Sequence, residues 1–109
     1  MNRRDHLPQR RPSETIEFRL NGHRFLAGCG YFLSEDGSAR LAEVFLTSGK
    51  PGGELDTFLH DAAIAVSFAL QYGAPPDALA RAFMRDAEGR PAGPLGMLFD
   101  IVLEASNAV

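Results

Sequence analysis

The stretch Thr47-Ser48-Gly49-Lys50-Pro51-Gly52-Gly53 divides the chain. Before it, apolar residues recur at every second position between turn dipeptides. After it, they recur at helical spacing for nearly twenty residues, so strands hand over to helices here. Lys50, the sole lysine of the sequence, sits at that handover among glycines that let a backbone approach closely.

On the N-terminal side, Ile16, Phe18 and Leu20 alternate with Glu17 and Arg19, the pattern of a half-buried strand. Asn21-Gly22 then gives a strong hairpin signal. His23 to Leu33 reads as the return strand, with Phe25, Ala27 and Cys29 on one face. Gly28 and Gly30 flank the cysteine and suggest a bulge or a close neighbouring backbone. Ser34 to Ser38 makes a turn into a third strand, Arg40 to Thr47, where Leu41, Glu43 and Phe45 alternate against Ala42, Val44 and Leu46. On the C-terminal side, Glu54 to Tyr72 is apolar on most of its circumference and reads as a central helix, covered by the sheet and by other helices or a second subunit. Gly73 suits its C-terminal cap, Pro75 to Met84 a second helix, Asp86 to Gly93 a polar loop, and Pro94 opens a third helix with Leu95, Leu98, Phe99, Val102 and Leu103 as its packing face. The expected fold is α+β: a three-stranded antiparallel meander followed by three helices, in two layers.

The 109 residues, 45% hydrophobic, suit one domain over 13–109 that buries roughly two thirds of its unfolded surface. A single cysteine excludes an internal disulfide and a cysteine-rich zinc site, and no apolar run reaches the roughly twenty residues of a bilayer span. No secretion signal is legible, so a cytoplasmic location is expected. Residues 1–12 carry Arg3, Arg4, Arg10 and Arg11 against Asp5, a net of +3 in a chain of net −3. They read as a flexible basic arm, a solvated tail or a tether for nucleic acid or an acidic partner surface. The acidic body argues against a dedicated nucleic-acid role.

The segments "EVFL" (43–46), the glycine-lysine loop, "AIAVSFALQYG" (63–73) and "RDAEGRPAGPLG" (85–96), in this order, resemble the TSCPD-type domain in the C-terminal region of vitamin B12-dependent (class II) ribonucleotide reductases. "RRPSETIEF" (10–18) and the glycine-containing second strand extend the likeness to most of the chain. The Thr-Ser-Cys-Pro-Asp signature itself is absent. The resemblance implies an accessory piece linked to deoxyribonucleotide synthesis, with a reductase large chain as a partner. A complete reductase needs a barrel, a radical-bearing cysteine, a redox cysteine pair and a cobalamin site, which 109 residues with one cysteine do not supply. No cofactor is expected in this chain.

The candidate ligand loop comprises Ser48, Gly49, Lys50, Gly52 and Gly53. It precedes a helix N-terminus whose N–H groups and dipole favour anions, with Lys50 as a point charge. Its spacing is not that of a Walker A motif, and Glu54 and Asp56 already place negative charge in the first helical turn, so a structural turn is the competing reading. Cys29 suits either an accessible thiol between glycines or a small buried apolar group, the latter preferred. Asp56, His60, Ser67 and Gln71 fall within roughly 60° around the helix axis and form a polar stripe, solvated or facing a subunit, in which Asp56 and His60 at i, i+4 are placed to pair. Ser67 lies about 10 Å along the axis from His60, too far for a relay. His6, His23 and His60 lack ligand spacing, so no metal site is expected. Arg85, Asp86 and Arg90 surround a glycine-proline loop suited to a partner contact or to local ion pairing. The breadth of the apolar helix predicts a homo-oligomer.

Overall fold

The computed structural model describes residues 3–49 and 52–107 and divides the chain into two compact units, residues 1–73 and 74–109. The first contains strands β1 (Ser13–Leu20), β2 (His23–Leu33) and β3 (Ala39–Ser48) and helix α1 (Glu54–Gln71). The second contains helices α2 (Pro76–Ala82) and α3 (Pro94–Asn107). The expected meander and three helices are therefore present, with boundaries displaced by a few residues at most. No helix of the described residues is long and apolar enough to cross a membrane.

In the first unit the sheet is antiparallel in the order β1-β2-β3. Asn21 (φ 52°) and Gly22 (φ 81°) both adopt the left-handed region, as a two-residue type I′ hairpin requires, so Leu20 faces His23. Hydrogen-bonded pairs alternate along an antiparallel ladder. Even-numbered residues of β1 therefore bond to β2 and odd-numbered ones point their N–H and C=O groups outward, whereas in β3 from Ala42 to Ser48 the even-numbered residues point away from β2.

One face of the sheet buries Phe18, Phe25, Ala27, Cys29, Val44 and Leu46, and α1 lays Leu59, Ala63 and Leu70 on β3. Phe18 and Phe25 stack with ring centroids 5.6 Å apart. The register shifts between Gly30 and Tyr31, so Ala42 is the extra residue of a bulge and Leu41 and Ala42 are both buried. A bulge near the two glycines was one of the two readings offered by the sequence. What crosses β2 beside them are side chains rather than backbone. A Cβ on Gly30 would stand 2.4 Å from Glu43 Oε1, and one on Gly28 would stand 3.5 Å from the Phe45 ring. Glu43, on the outer face, is thereby buried at 8% exposure while Phe45 is open at 54%.

The arginine-rich residues make contacts that charge patterning did not foretell. Arg11 Nε donates to Glu43 Oε1 at 2.6 Å, and Pro12 O accepts from Tyr31 N–H, extending the β1–β2 ladder. Arg4 Nε donates to Gln71 Oε1, Asp5 N–H donates to Gln71 O, and the Arg4 guanidinium lies 4.2 Å over the Phe68 ring.

The breadth of the apolar surface on α1 predicts cover by the sheet on one side and by other helices or a second subunit on the other, and the sheet side is buried. Leu55, Phe58, Ile64, Phe68 and Tyr72 remain 40–64% exposed. Gly73, at φ 104°, donates its N–H to Leu70 O and closes the helix as expected.

In the second unit α2 ends at Ala82, earlier than expected, because Phe83 turns extended (ψ 147°). Its ring meets Phe99 edge-on at 5.1 Å. Leu98, Phe99 and Val102 of α3 are buried, three of the five residues read as its packing face.

Candidate functional site

The β3–α1 connection and the β1–β2 hairpin end lie side by side because Phe25 pairs with Ser48 in the sheet register. Between them is a cleft of about 480 Å³ lined by Arg19, His23 and Arg24 from the hairpin, Phe25 beneath, and Ser48, Gly49 and Gly53 to Asp56 from the connection. Of the candidate loop residues, Ser48, Gly49 and Gly53 line this cleft. Gly52 holds φ 81°, a conformation that favours glycine. Lys50 lies outside the described residues. Gly53 caps α1 through its backbone, its C=O accepting from the N–H and hydroxyl of Thr57.

The cleft is electrostatically divided. Arg19, His23 and Arg24 stand on one wall and Glu54 and Asp56 on the other, and Arg24 is paired with Glu17 at 2.6 Å. Asp56 Oδ1 accepts from both the N–H (3.0 Å) and the hydroxyl (3.4 Å) of Ser48, tying the end of β3 to the first turn of α1.

Two expectations for the helix stripe are corrected. Asp56 does not pair with His60, whose Nδ1 instead meets Asp61 at 3.4 Å in an exposed contact. Nor are Ser67 and Gln71 solvated or turned to a subunit: both are buried against β3. Ser67 Oγ accepts from Val44 N–H (2.9 Å) and donates to Val44 O (3.1 Å), and Gln71 Nε2 donates to Ala42 O (3.1 Å). The stripe is therefore a substitute strand. Asp56, Ser67 and Gln71 satisfy the outward backbone groups of Ser48, Val44 and Ala42, where a fourth strand would otherwise bond. Their helical spacing was legible in the sequence; the element they face was not.

Cys29 is 2% exposed, and burial, with the charge of Glu14 as a lesser cause, pushes its thiol up to about 12. It is a buried apolar group rather than a thiolate. Burial also raises Tyr31, helped by the hydrogen bond its hydroxyl donates to Glu14. Among the described residues no group of three or more His, Cys, Asp or Glu side chains could hold a metal ion.

In the second unit, Arg85 grips Asp100 with two parallel hydrogen bonds (2.9 and 2.8 Å) and also donates to Ala80 O and Gly89 O. Arg85 thereby holds the Asp100 carboxyl below the usual carboxylate range. Asp86 accepts from the N–H groups of Glu88 and Arg90 and from Arg90 Nε, organising the turn from within. Of the three residues expected at a partner contact, Arg85 is committed internally, while the Arg90 side chain is 72% exposed.

A small antiparallel sheet roofed by one helix, with a hairpin-and-loop cleft at its end, defines the class as an α+β domain. The chain belongs to the TSCPD domain family, whose profile matches residues 6–105. It is 38% identical over 87% of its length to a vitamin B12-dependent ribonucleotide reductase of Bradyrhizobium diazoefficiens. It is 34% identical over 73% to one of Agrobacterium fabrum and 33% identical over 74% to one of Rhodopirellula baltica. The chain spans only 6–7% of those relatives' lengths. No solved structure is a significant match.

Proposed function

We propose that this chain is a non-catalytic binding and assembly module linked to deoxyribonucleotide synthesis, working beside a ribonucleotide reductase large chain in the cytoplasm and self-associating as a homodimer. The carrying observation is the outward face of α1, where Leu55, Phe58, Ile64, Phe68 and Tyr72 stay 40–64% exposed. Large apolar residues gathered on one exposed face mark a surface that is covered in an assembly. The chain needs no cofactor of its own in this reading, and the one thiol it contains is buried and protonated, unsuited to radical or redox exchange.

The test is co-purification of the tagged chain with the reductase large chain of the source cell. The expected result is recovery of that chain, lost in a Phe58→Glu, Phe68→Glu double variant that still folds. Failure of the wild-type chain to recover it removes the reading.

The cleft supports a second reading, a nucleotide-binding enzyme subunit. Arg19, His23 and Arg24 stand opposite Ser48, Gly49 and Gly53 of the glycine-lysine loop, a setting for an anionic group at a helix start. Calorimetric titration with nucleotides and adenosylcobalamin tests it. Heat abolished by Lys50→Ala favours this reading; no heat leaves the assembly module.

A further inference from the structure

The two edges of the sheet are treated differently by the rest of the chain. On β3, Asp56, Ser67 and Gln71 bond the Ser48 N–H, the Val44 N–H and C=O, and the Ala42 C=O. On β1, among the described residues, no strand or side chain hydrogen-bonds to the outward groups of Thr15, Glu17 and Arg19. An eight-residue edge with free, regularly spaced donors and acceptors is a template for another strand.

The side chains along that edge specify which strand it takes. On the outer face Arg19 lies directly opposite Arg24 in the β1–β2 register, a like-charged cross-strand pair. Such pairs are destabilising. Glu17 relieves Arg24 through its 2.6 Å ion pair, but among the described residues no carboxylate lies within ion-pairing distance of Arg19. On the inner face Ile16 and Leu20 at the same edge are half-buried, although Phe18 between them is buried. The edge thus presents an unneutralised cation on one face and unfinished apolar packing on the other.

We infer that β1 pairs antiparallel with β1 of a second copy of this chain about a two-fold axis at Phe18, so that Glu17 of each copy faces Arg19 of the other. In this register Ile16 lies opposite the partner's Leu20, extending the buried row. Residues 17 and 19 both point their N–H and C=O groups outward, and in an antiparallel ladder such residues form the hydrogen-bonded pairs, so the backbone phase agrees with the charge pairing. Of the neighbouring registers that keep the faces in phase, the one centred on Glu17 sets glutamate against glutamate and the one centred on Arg19 sets arginine against arginine. A one-residue slip turns the apolar row to the solvent face. The result is a continuous six-stranded sheet sealed at both ends by α1. This gives the self-association in the proposed function a surface of its own, and variants of β1 probe it separately from the α1 face.

Sedimentation equilibrium across micromolar to millimolar concentration reads the outcome, with circular dichroism as a check on folding. The expected result is a concentration-dependent doubling of the 11.8 kDa mass. Glu17→Arg alone and Arg19→Glu alone each weaken dimerisation at least about tenfold, because each sets like charges opposite in two symmetry-related places. The double variant Glu17→Arg, Arg19→Glu restores it. Amide exchange at residues 17 and 19 slows in the dimer. A monomer at every concentration, a dimer indifferent to the single changes, or a charge-swapped variant as weak as the single ones overturns the inference. So does protection of those amides only when a reductase chain is added, which assigns the edge to a different occupant.

Discussion

The two edges of this sheet are equivalent as backbone and opposite in chemistry. β3 ends against a helix whose Ser67, Gln71 and Asp56 replace the bonds of a missing strand, whereas β1 ends in a ladder of unused bonds flanked by Glu17 and Arg19. Sealing an edge with side chains converts it into core, where every partner is obligatory. Leaving it to charged residues keeps it soluble and available, so substitutions should cost stability at one edge and association at the other.

The largest loss is expected for Ser67→Ala. It removes only the hydroxyl and leaves the Val44 N–H and C=O unpaired in the interior, destabilising the fold by about 2–3 kcal/mol in urea unfolding. A change below about 0.5 kcal/mol would break the comparison, since the β3 edge would then tolerate open groups as β1 does. Gln71→Leu comes next, at about 1–2 kcal/mol, because it strands Ala42 O and releases Arg4 together. Removing Arg4 alone should reproduce only a minor part of that loss. Asp56→Ala removes the carboxylate that accepts from the Ser48 N–H and takes negative charge from the first turn of α1, at about 1 kcal/mol. At β1, Arg19→Glu should alter monomer stability by no more than about 0.5 kcal/mol and Glu17→Arg, which also gives up the exposed pair with Arg24, by no more than about 1 kcal/mol, while both change self-association. A large stability loss there would mean that this edge is already occupied within the chain.

The second unit offers a pH measurement with a definite sign. Asp100, held low by Arg85, contributes stability that is fully present above the ordinary carboxylate range of about 4 and is lost as pH falls through its depressed folded value. Asp100→Asn should flatten that acid limb of the unfolding curve.

Much of the fold was legible because it rests on local rules. Asn21-Gly22 is a dipeptide suited to two successive positive φ values, the alternation from Ile16 to Leu20 is a strand with one wet face, and Gly73 stands where a helix must turn left-handed. The cleft was legible in part: the glycines from Ser48 to Gly53 mark the loop, but no local pattern joins Arg19, His23 and Arg24 to it. Their placement comes from the pairing of Phe25 with Ser48, a register between strands separated by a long turn. The same gap explains the helix stripe. Periodicity placed Ser67 and Gln71 on one side of α1, and polarity suggested water, yet a strand edge supplies the same donors and acceptors as water does. The bulge at Gly30 and Tyr31 hid the burial of Leu41 beside Ala42, since an inserted residue breaks the two-residue period on which strand reading depends.

The glutamate folded flat across Gly30 has a practical consequence for anyone cutting or grafting this domain. Its carboxylate is shielded from solvent and answered by Arg11, which precedes the first strand. A fragment trimmed to begin at Ser13 would keep the anion and discard its counter-ion. The transferable unit accordingly starts upstream of the sheet, and the leader to β1 has to travel with it.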